Sequence, residues 1–247
     1  KGNPNFYLFF PLSEEVHNLS FIIHSTGFYN ASQRTNLQGN ENSNTESQGI
    51  NESLLRVIAE KIKQKLLVYL RDTAKDEKFR YRFLNIYSNL LLSYKATENH
   101  KNWVDTCFIE PIFDILKLQV PTQNGYSDNP ENVKIKATFL PIHPYDFGCP
   151  EIEWFAWQNE KFDKVLIDEA QNSEKLKLEK WDIVKLLKYA INKGQLELVN
   201  EWVKQANERH FADANNKDYT YLSFIQEIDK NLLEKDLAII SQIKLLK

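Results

Sequence analysis

FYLFFPLSEEVHNLSFIIHSTGFYNASQRTNLQ, residues 6–38, decides how the fold is read. Phe6 to Phe10 is an unbroken apolar run that predicts a first strand, and Pro11, which has no backbone N–H, ends it. Leu19 to His24 predicts a second strand, after which Gly27, free to take positive φ, opens a loop. That loop, Ser25 to Gln38, is polar, stands at the end of a sheet and carries one arginine, Arg34. Loops held by a scaffold carry function more often than cores do.

Outward from this stretch, residues 37–51 are polar and low in complexity, with only Ile50 as an apolar side chain after Leu37, and read as a flexible insertion. Asn51 is placed to cap a helix, with Glu52 in its first turn. Leu54, Leu55, Ile58, Ile62, Leu66, Tyr69 and Leu70 then recur at three-to-four spacing, an amphipathic helix ending near Arg71. Lys61, Lys63 and Lys65 read as its solvated face. A second helix is expected from Lys78 to Lys95, burying Phe79, Phe83, Ile86, Tyr87, Leu90, Leu91 and Tyr94. A third, Asn102 to Lys117, must kink or restart at Pro111.

Beyond a loop from Pro121 to Asn132, Val133, Ile135, Ala137 and Phe139 alternate with polar residues as a half-exposed strand does. The turn IHPYDFGCP, residues 142–150, follows. Pro150 to Asn159 reads as a short helix and Lys164 to Ile167 as a short strand. In DIVKLLKYAINKGQLELVNEWVKQA, residues 182–206, the spacing predicts two helices separated at Gly194, completed by helix from Tyr219 to Lys247. This pair has the look of one ankyrin-type helix-turn-helix, but a single copy has no neighbour on which to stack. The fold class expected is α+β: a small mixed N-terminal sheet with covering helices, then a mainly helical C-terminal part, divided as residues 1–148 and 149–247.

Composition bounds the function. With 31 basic against 34 acidic residues the net charge is −3, so no global field draws in nucleic acid. Cys107 and Cys149 have no CxxC spacing and read as inert buried thiols of a reducing, cytoplasmic compartment. No apolar run approaches the roughly 18 residues that span a bilayer, so no membrane partner is expected. Methionine is absent, which is uncommon in a helical chain rich in Leu, Ile and Phe. The Lys-Gly start, opening directly into strand, reads as a cut from a longer polypeptide.

No complete active site is legible: the chain lacks GxxxxGK[ST], GxSxG and HExxH. His143, Asp146 and Cys149 invite a metal reading, but mixed ligands in one Pro-rich turn without a second cluster fit a rigid hydrogen-bonded turn better, and no metal is expected. Asp168-Glu169 after the expected strand Val165–Ile167 imitates the Mg²⁺-holding acids of P-loop ATPases without the phosphate loop. His24, in the second strand, reads as a structural hydrogen-bonding group before a base.

The order Phe10-Pro11-Leu12, then Phe21-Ile22-Ile23-His24-Ser25-Thr26-Gly27-Phe28-Tyr29, then Ser32-Gln33-Arg34 resembles the strand and loop that follow the nucleotide-binding domain in sacsin-like ATPases. These belong to the GHKL class, with the large heat-shock chaperones, gyrase B and MutL. The Leu140-Pro141 step after the expected strand adds to the resemblance, which covers about thirty residues of 247 and includes no adenine- or Mg²⁺-binding motif. It implies that Arg34 contacts the γ-phosphate, flanked by Ser32 and Gln33 at the nucleotide. It also implies that ATP and Mg²⁺ come with the assembled protein, from an upstream ATP-binding domain of the same polypeptide, and that this region alone does not hydrolyse ATP. Movement of attached domains, and a protein client, would follow from nucleotide state.

Two other readings stand on the residues alone. One is a protein-interaction or scaffold module without nucleotide chemistry, suggested by five tryptophans and the helical C-terminus. The other is a nucleic-acid-handling subunit of a bacterial defence system, working through Lys61, Lys63, Lys65, Arg80 and Arg82, with the Asn-rich composition pointing to a bacterial source.

Overall fold

The computed structural model describes residues 6–7, 12, 22–30, 37–38, 46–98, 103–138, 140–157, 164–208, 211–212, 218–219 and 221–244. In chain order the elements are β1 (Phe6–Tyr7), β2 (Ile23–His24), α1 (Glu46–Lys75), α2 (Arg80–Glu98), a π-helical turn (Asp105–Ile109), α3 (Glu110–Phe113) and α4 (Ile115–Leu118). Next come β3 (Val120–Thr122), β4 (Gly125–Ser127), β5 (Val133–Lys136), β6 (Glu153–Trp154), α5 (Lys164–Asn172) and β7 (Glu179–Trp181). The remainder is α6 (Ile183–Asn192), α7 (Leu196–Glu208), β8 (Phe211–Ala212), β9 (Asp218–Tyr219), α8 (Tyr221–Asn231) and α9 (Leu237–Ile240). The protein is α+β, with helices dominant and sheets of two and three strands. Among the described residues no helix is long and apolar enough to cross a membrane.

Two compact units share the chain. The first takes residues 1–121, 125–130 and 162–177; the second takes 122–124, 131–161 and 178–247. In the first, β1 and β2 pair in parallel, Phe6 opposite Ile23 and Tyr7 opposite His24. The rest is organised on α1, whose 30 residues span ~45 Å at the α-helical rise. Leu55, Ala59, Leu70 and Ala74 on its inner face are buried with Phe83, Tyr87, Leu90, Leu91 and Tyr94 of α2 and with Phe108, Ile109, Ile112 and Phe113. The Tyr87 hydroxyl donates to the Leu116 carbonyl at 2.8 Å, so this phenol is buried without an orphaned O–H. Burial holds it well above the ordinary tyrosine pKa.

The expected kink at Pro111 takes a definite form. One turn earlier the helix widens to π geometry, with Glu110 N–H donating to the Asp105 carbonyl, and after Phe113 the chain breaks at Asp114 and restarts at Ile115. A proline has no N–H to give and crowds the preceding turn, and a π-turn relieves that crowding. Lys175 pairs with Asp114 at 2.9 Å, and Lys95 with the buried Glu169 of α5 at 2.9 Å.

In the second unit β5 lies between β6 and β7, all parallel, with Lys134 opposite both Trp154 and Glu179. The Trp154 indole N–H donates to the Ile142 carbonyl at 2.9 Å. Asp182 caps α6 by accepting from Lys185 N–H at 2.8 Å, and Gly194 at φ +80° ends the turn before α7, as the sequence predicts. Phe147, Trp202 and Phe224 pack ring against ring at 4.9 and 5.1 Å.

Four local expectations are corrected. Residues 46–51 belong to α1, so the polar insertion does not extend to Asn51, and Asn51 lies inside the helix rather than capping it. Of the helix expected over 150–159, the described part, residues 150–157, holds β6 instead, because Glu153 and Trp154 complete the ladder to Val133 and Lys134. Lys164–Ile167 begins a helix, because Leu166, Ile167 and Ala170 share a buried face at helical spacing. Residues 121–132, expected as loop, hold the end of β3, all of β4 and a 3₁₀ turn at Pro130–Asn132.

Candidate functional site

Asn51 stands at the head of α1, in line with Leu55 and Ala59 at successive four-residue steps, and all three are 0% exposed. An amide on the buried face of a helix needs partners for its two donors and its acceptor. Asn51 finds them in the loop after β2. Its Oδ1 accepts from Tyr29 N–H at 2.8 Å, and its Nδ2 donates to the Tyr29 carbonyl at 2.7 Å and to the Gln38 carbonyl at 2.9 Å. Between the two loop ends, Gln38 N–H donates to the Tyr29 carbonyl at 2.9 Å, and Asn30 bridges Leu37 in antiparallel fashion.

Phe28 and Leu37, next in the chain to Tyr29 and Gln38, bury their side chains, while Ser25 Oγ accepts from Gly27 N–H at 3.1 Å. Leu54 of α1 stands in ordinary van der Waals range of the space a β-carbon at Gly27 would fill. The loop is thus closed at its base, by one side chain that pairs three backbone groups. Ser32, Gln33 and Arg34, the residues expected to meet a nucleotide, lie outside the described residues. What is described is their attachment: residues 31–36 run between ends tied to the first turns of α1.

By local pattern Asn51 reads as a helix cap, since a short polar residue after a polar run ordinarily is one. The signal that separates the two roles was present: Asn51, Leu55 and Ala59 repeat at the spacing of one buried face, where a cap would precede the face.

His24 is exposed in β2. Among the described residues no group of three or more His, Cys, Asp or Glu side chains could hold a metal. At the 142–150 turn, Asp146 accepts from His143 N–H at 3.0 Å, Gly148 adopts φ +70°, and Cys149 Sγ donates to the Phe147 carbonyl at 3.5 Å. Burial pushes the Cys149 thiol up to about 11 and lowers the His143 imidazole below its ordinary value. This is the rigid hydrogen-bonded turn. Both cysteines are buried and free. Asp168 and Glu169 sit in helix α5, so the acidic pair after a strand does not form. Lys63 pairs with Glu60 at 2.7 Å, whereas Lys61 and Lys65 are exposed. Arg82 is exposed, donates to the Tyr81 hydroxyl at 3.1 Å and lies 4.8 Å from the Phe79 ring centre.

No family model matches the chain, and no curated protein or solved structure does.

Proposed function

We propose that this chain is the region following the ATP-binding domain of a larger sacsin-like GHKL protein, where it couples nucleotide state to domain movement and does not hydrolyse ATP by itself. The observation that supports this reading is the clamp at Asn51, which ties both ends of the Arg34 loop to the head of a 30-residue helix. A guanidinium makes two parallel hydrogen bonds to phosphate oxygens, and Ser32 and Gln33 beside it add neutral donors. ATP, bound with Mg²⁺ by the upstream domain, supplies the negative charge that this loop answers. Displacement of a loop fixed at both ends passes into the helix that fixes it, which is how a local charge change becomes a movement of attached domains.

The test uses the longest natural polypeptide carrying this sequence, assayed for ATP hydrolysis with Arg34→Ala and Asn51→Leu beside the wild type. Turnover that falls at least ten-fold in Arg34→Ala, with nucleotide affinity retained, supports the reading. Asn51→Leu, which acts through loop position, is expected to lower turnover with the same retained affinity. A polypeptide without an ATP-binding domain, or unchanged turnover in Arg34→Ala, overturns it.

A further inference from the structure

The middle of α1 differs from its head. Ile58, Ile62, Leu66 and Tyr69 follow one another along one side of the helix, and with Ile22 beside β2 they line an open groove of about 460 Å³. Ile22 is 64% exposed and Tyr69 41% exposed. Among the described residues, Lys61 and Lys65 are the charged side chains in the lining. Among the described residues neither lysine has a carboxylate within ion-pair distance, in contrast to Lys63 a few residues away with Glu60. Arg82, which donates to the Tyr81 hydroxyl, lies over the Phe79 ring and has the Tyr69 hydroxyl as a polar neighbour, adds a third cation at the Tyr69 end. Asp72, the next carboxylate along that side of the helix, lies beyond the lined segment.

From this geometry we infer that the groove is a docking site for an acidic amphipathic helix of a protein partner, laid along α1 between Ile58 and Tyr69. The apolar strip from Ile58 to Tyr69 covers ~16 Å at the helical rise, the length of three turns of a partner helix, whose residues at i, i+4, i+7 and i+11 fill it. Carboxylates flanking that stripe face Lys61, Lys65 and Arg82. This charge complementarity selects the occupant: a basic helix would meet three cations, and a neutral one would leave them without counter-charge. The apolar floor distinguishes the site from a phosphate-tracking surface, in which cations and stacking rings alternate without aliphatic lining. The inference is independent of the nucleotide reading, since it involves neither Arg34 nor Asn51.

The experiment is fluorescence anisotropy of the full chain with three labelled probes. These are an 18-residue helical peptide with a leucine stripe flanked by glutamates, the same peptide with lysines in place of the glutamates, and a 20-nucleotide oligothymidylate. The expected order is glutamate peptide tightest, by at least ten-fold over the other two, and weakening as salt rises. The doubly reversed variant Lys61→Glu/Lys65→Glu changes only exposed side chains, so its circular dichroism should match the wild type. It should lose the glutamate peptide by at least ten-fold and gain the lysine peptide. Equal binding of both peptides, no binding of the glutamate peptide, preference for the oligonucleotide, or a reversed variant that keeps the wild-type preference each overturns the inference. Because ATP turnover does not enter the assay, its failure is separable from failure of the proposed function.

Discussion

The head of α1 and its middle, less than two turns apart, solve opposite problems. At the head a polar side chain is fully buried, and all three of its hydrogen-bonding groups are matched to the backbone of Tyr29 and Gln38. In the middle, apolar side chains remain open to water, and among the described residues two lysines have no carboxylate within ion-pair distance. Burying an amide costs free energy unless it is hydrogen-bonded, and leaving aliphatic carbon in water forgoes the gain of burial. The head is therefore complete within the chain, and removing any of it should harm the fold. The middle is incomplete, and changing it should harm something other than the fold.

The largest effect should come from breaking the head. Asn51→Leu keeps the branching at Cγ but strands the part-buried Tyr29 N–H and Gln38 carbonyl, at the lower part of the ~1–3 kcal/mol range for each group left unpaired. Chemical denaturation should show a loss of ~2–4 kcal/mol on that basis, and a loss under ~1 kcal/mol would mean that the loop does not depend on the clamp. Cys107 gives a second readout. Burial raises its thiol pKa, and Glu52 and Arg56, both just after Asn51 in α1, are its charged neighbours. Alkylation of Cys107 should be slow in the wild type and at least ten-fold faster in Asn51→Leu, as local opening becomes cheaper.

Asn51→Asp sharpens the same point with a smaller cost. An ionised carboxylate at this position can accept from Tyr29 N–H but faces the Tyr29 and Gln38 carbonyl oxygens with nothing to donate. Desolvation and this repulsion raise its folded-state pKa above the unfolded value of ~3.9. The folded state then binds the proton more tightly than the unfolded state does. Relative to the wild type, stability is regained as pH falls toward and below the raised pKa and is lost as pH rises through it. Melting curves of both proteins between pH 4 and 8 should converge at the acid end, and parallel curves would argue against the geometry.

Helical periodicity made α2, α6 and α7 legible, with Gly194 and Pro111 marking a stop and a break where the structure has them. What periodicity missed has a common cause. β6 is two residues long and exists because β5 lies alongside; α5 is nine residues whose first four look equally good in a strand. In such short segments the partner chooses the conformation. Asn51 was misread because a side chain's partner 22 residues away leaves no local trace beyond its place on the buried face. The groove was half legible: Ile58, Ile62, Leu66 and Tyr69 were read as core, and the structure leaves that side open with Lys61 and Lys65 on it.

The smallest expected effect tests that openness. Ile22→Ser removes an aliphatic side chain whose full burial would be worth ~1.5–3 kcal/mol, but at 64% exposure most of that gain is never made in the free chain. The denaturation midpoint should therefore move by no more than corresponds to ~0.5 kcal/mol, as for other surface changes. The same substitution removes one wall of the groove, so binding of the glutamate-flanked peptide should weaken several-fold while the fold stays put. The two readouts separate the possibilities. A stability loss above ~1 kcal/mol would mean that Ile22 is covered in solution and that the middle of α1 is as closed as its head, because only buried carbon costs that much to delete.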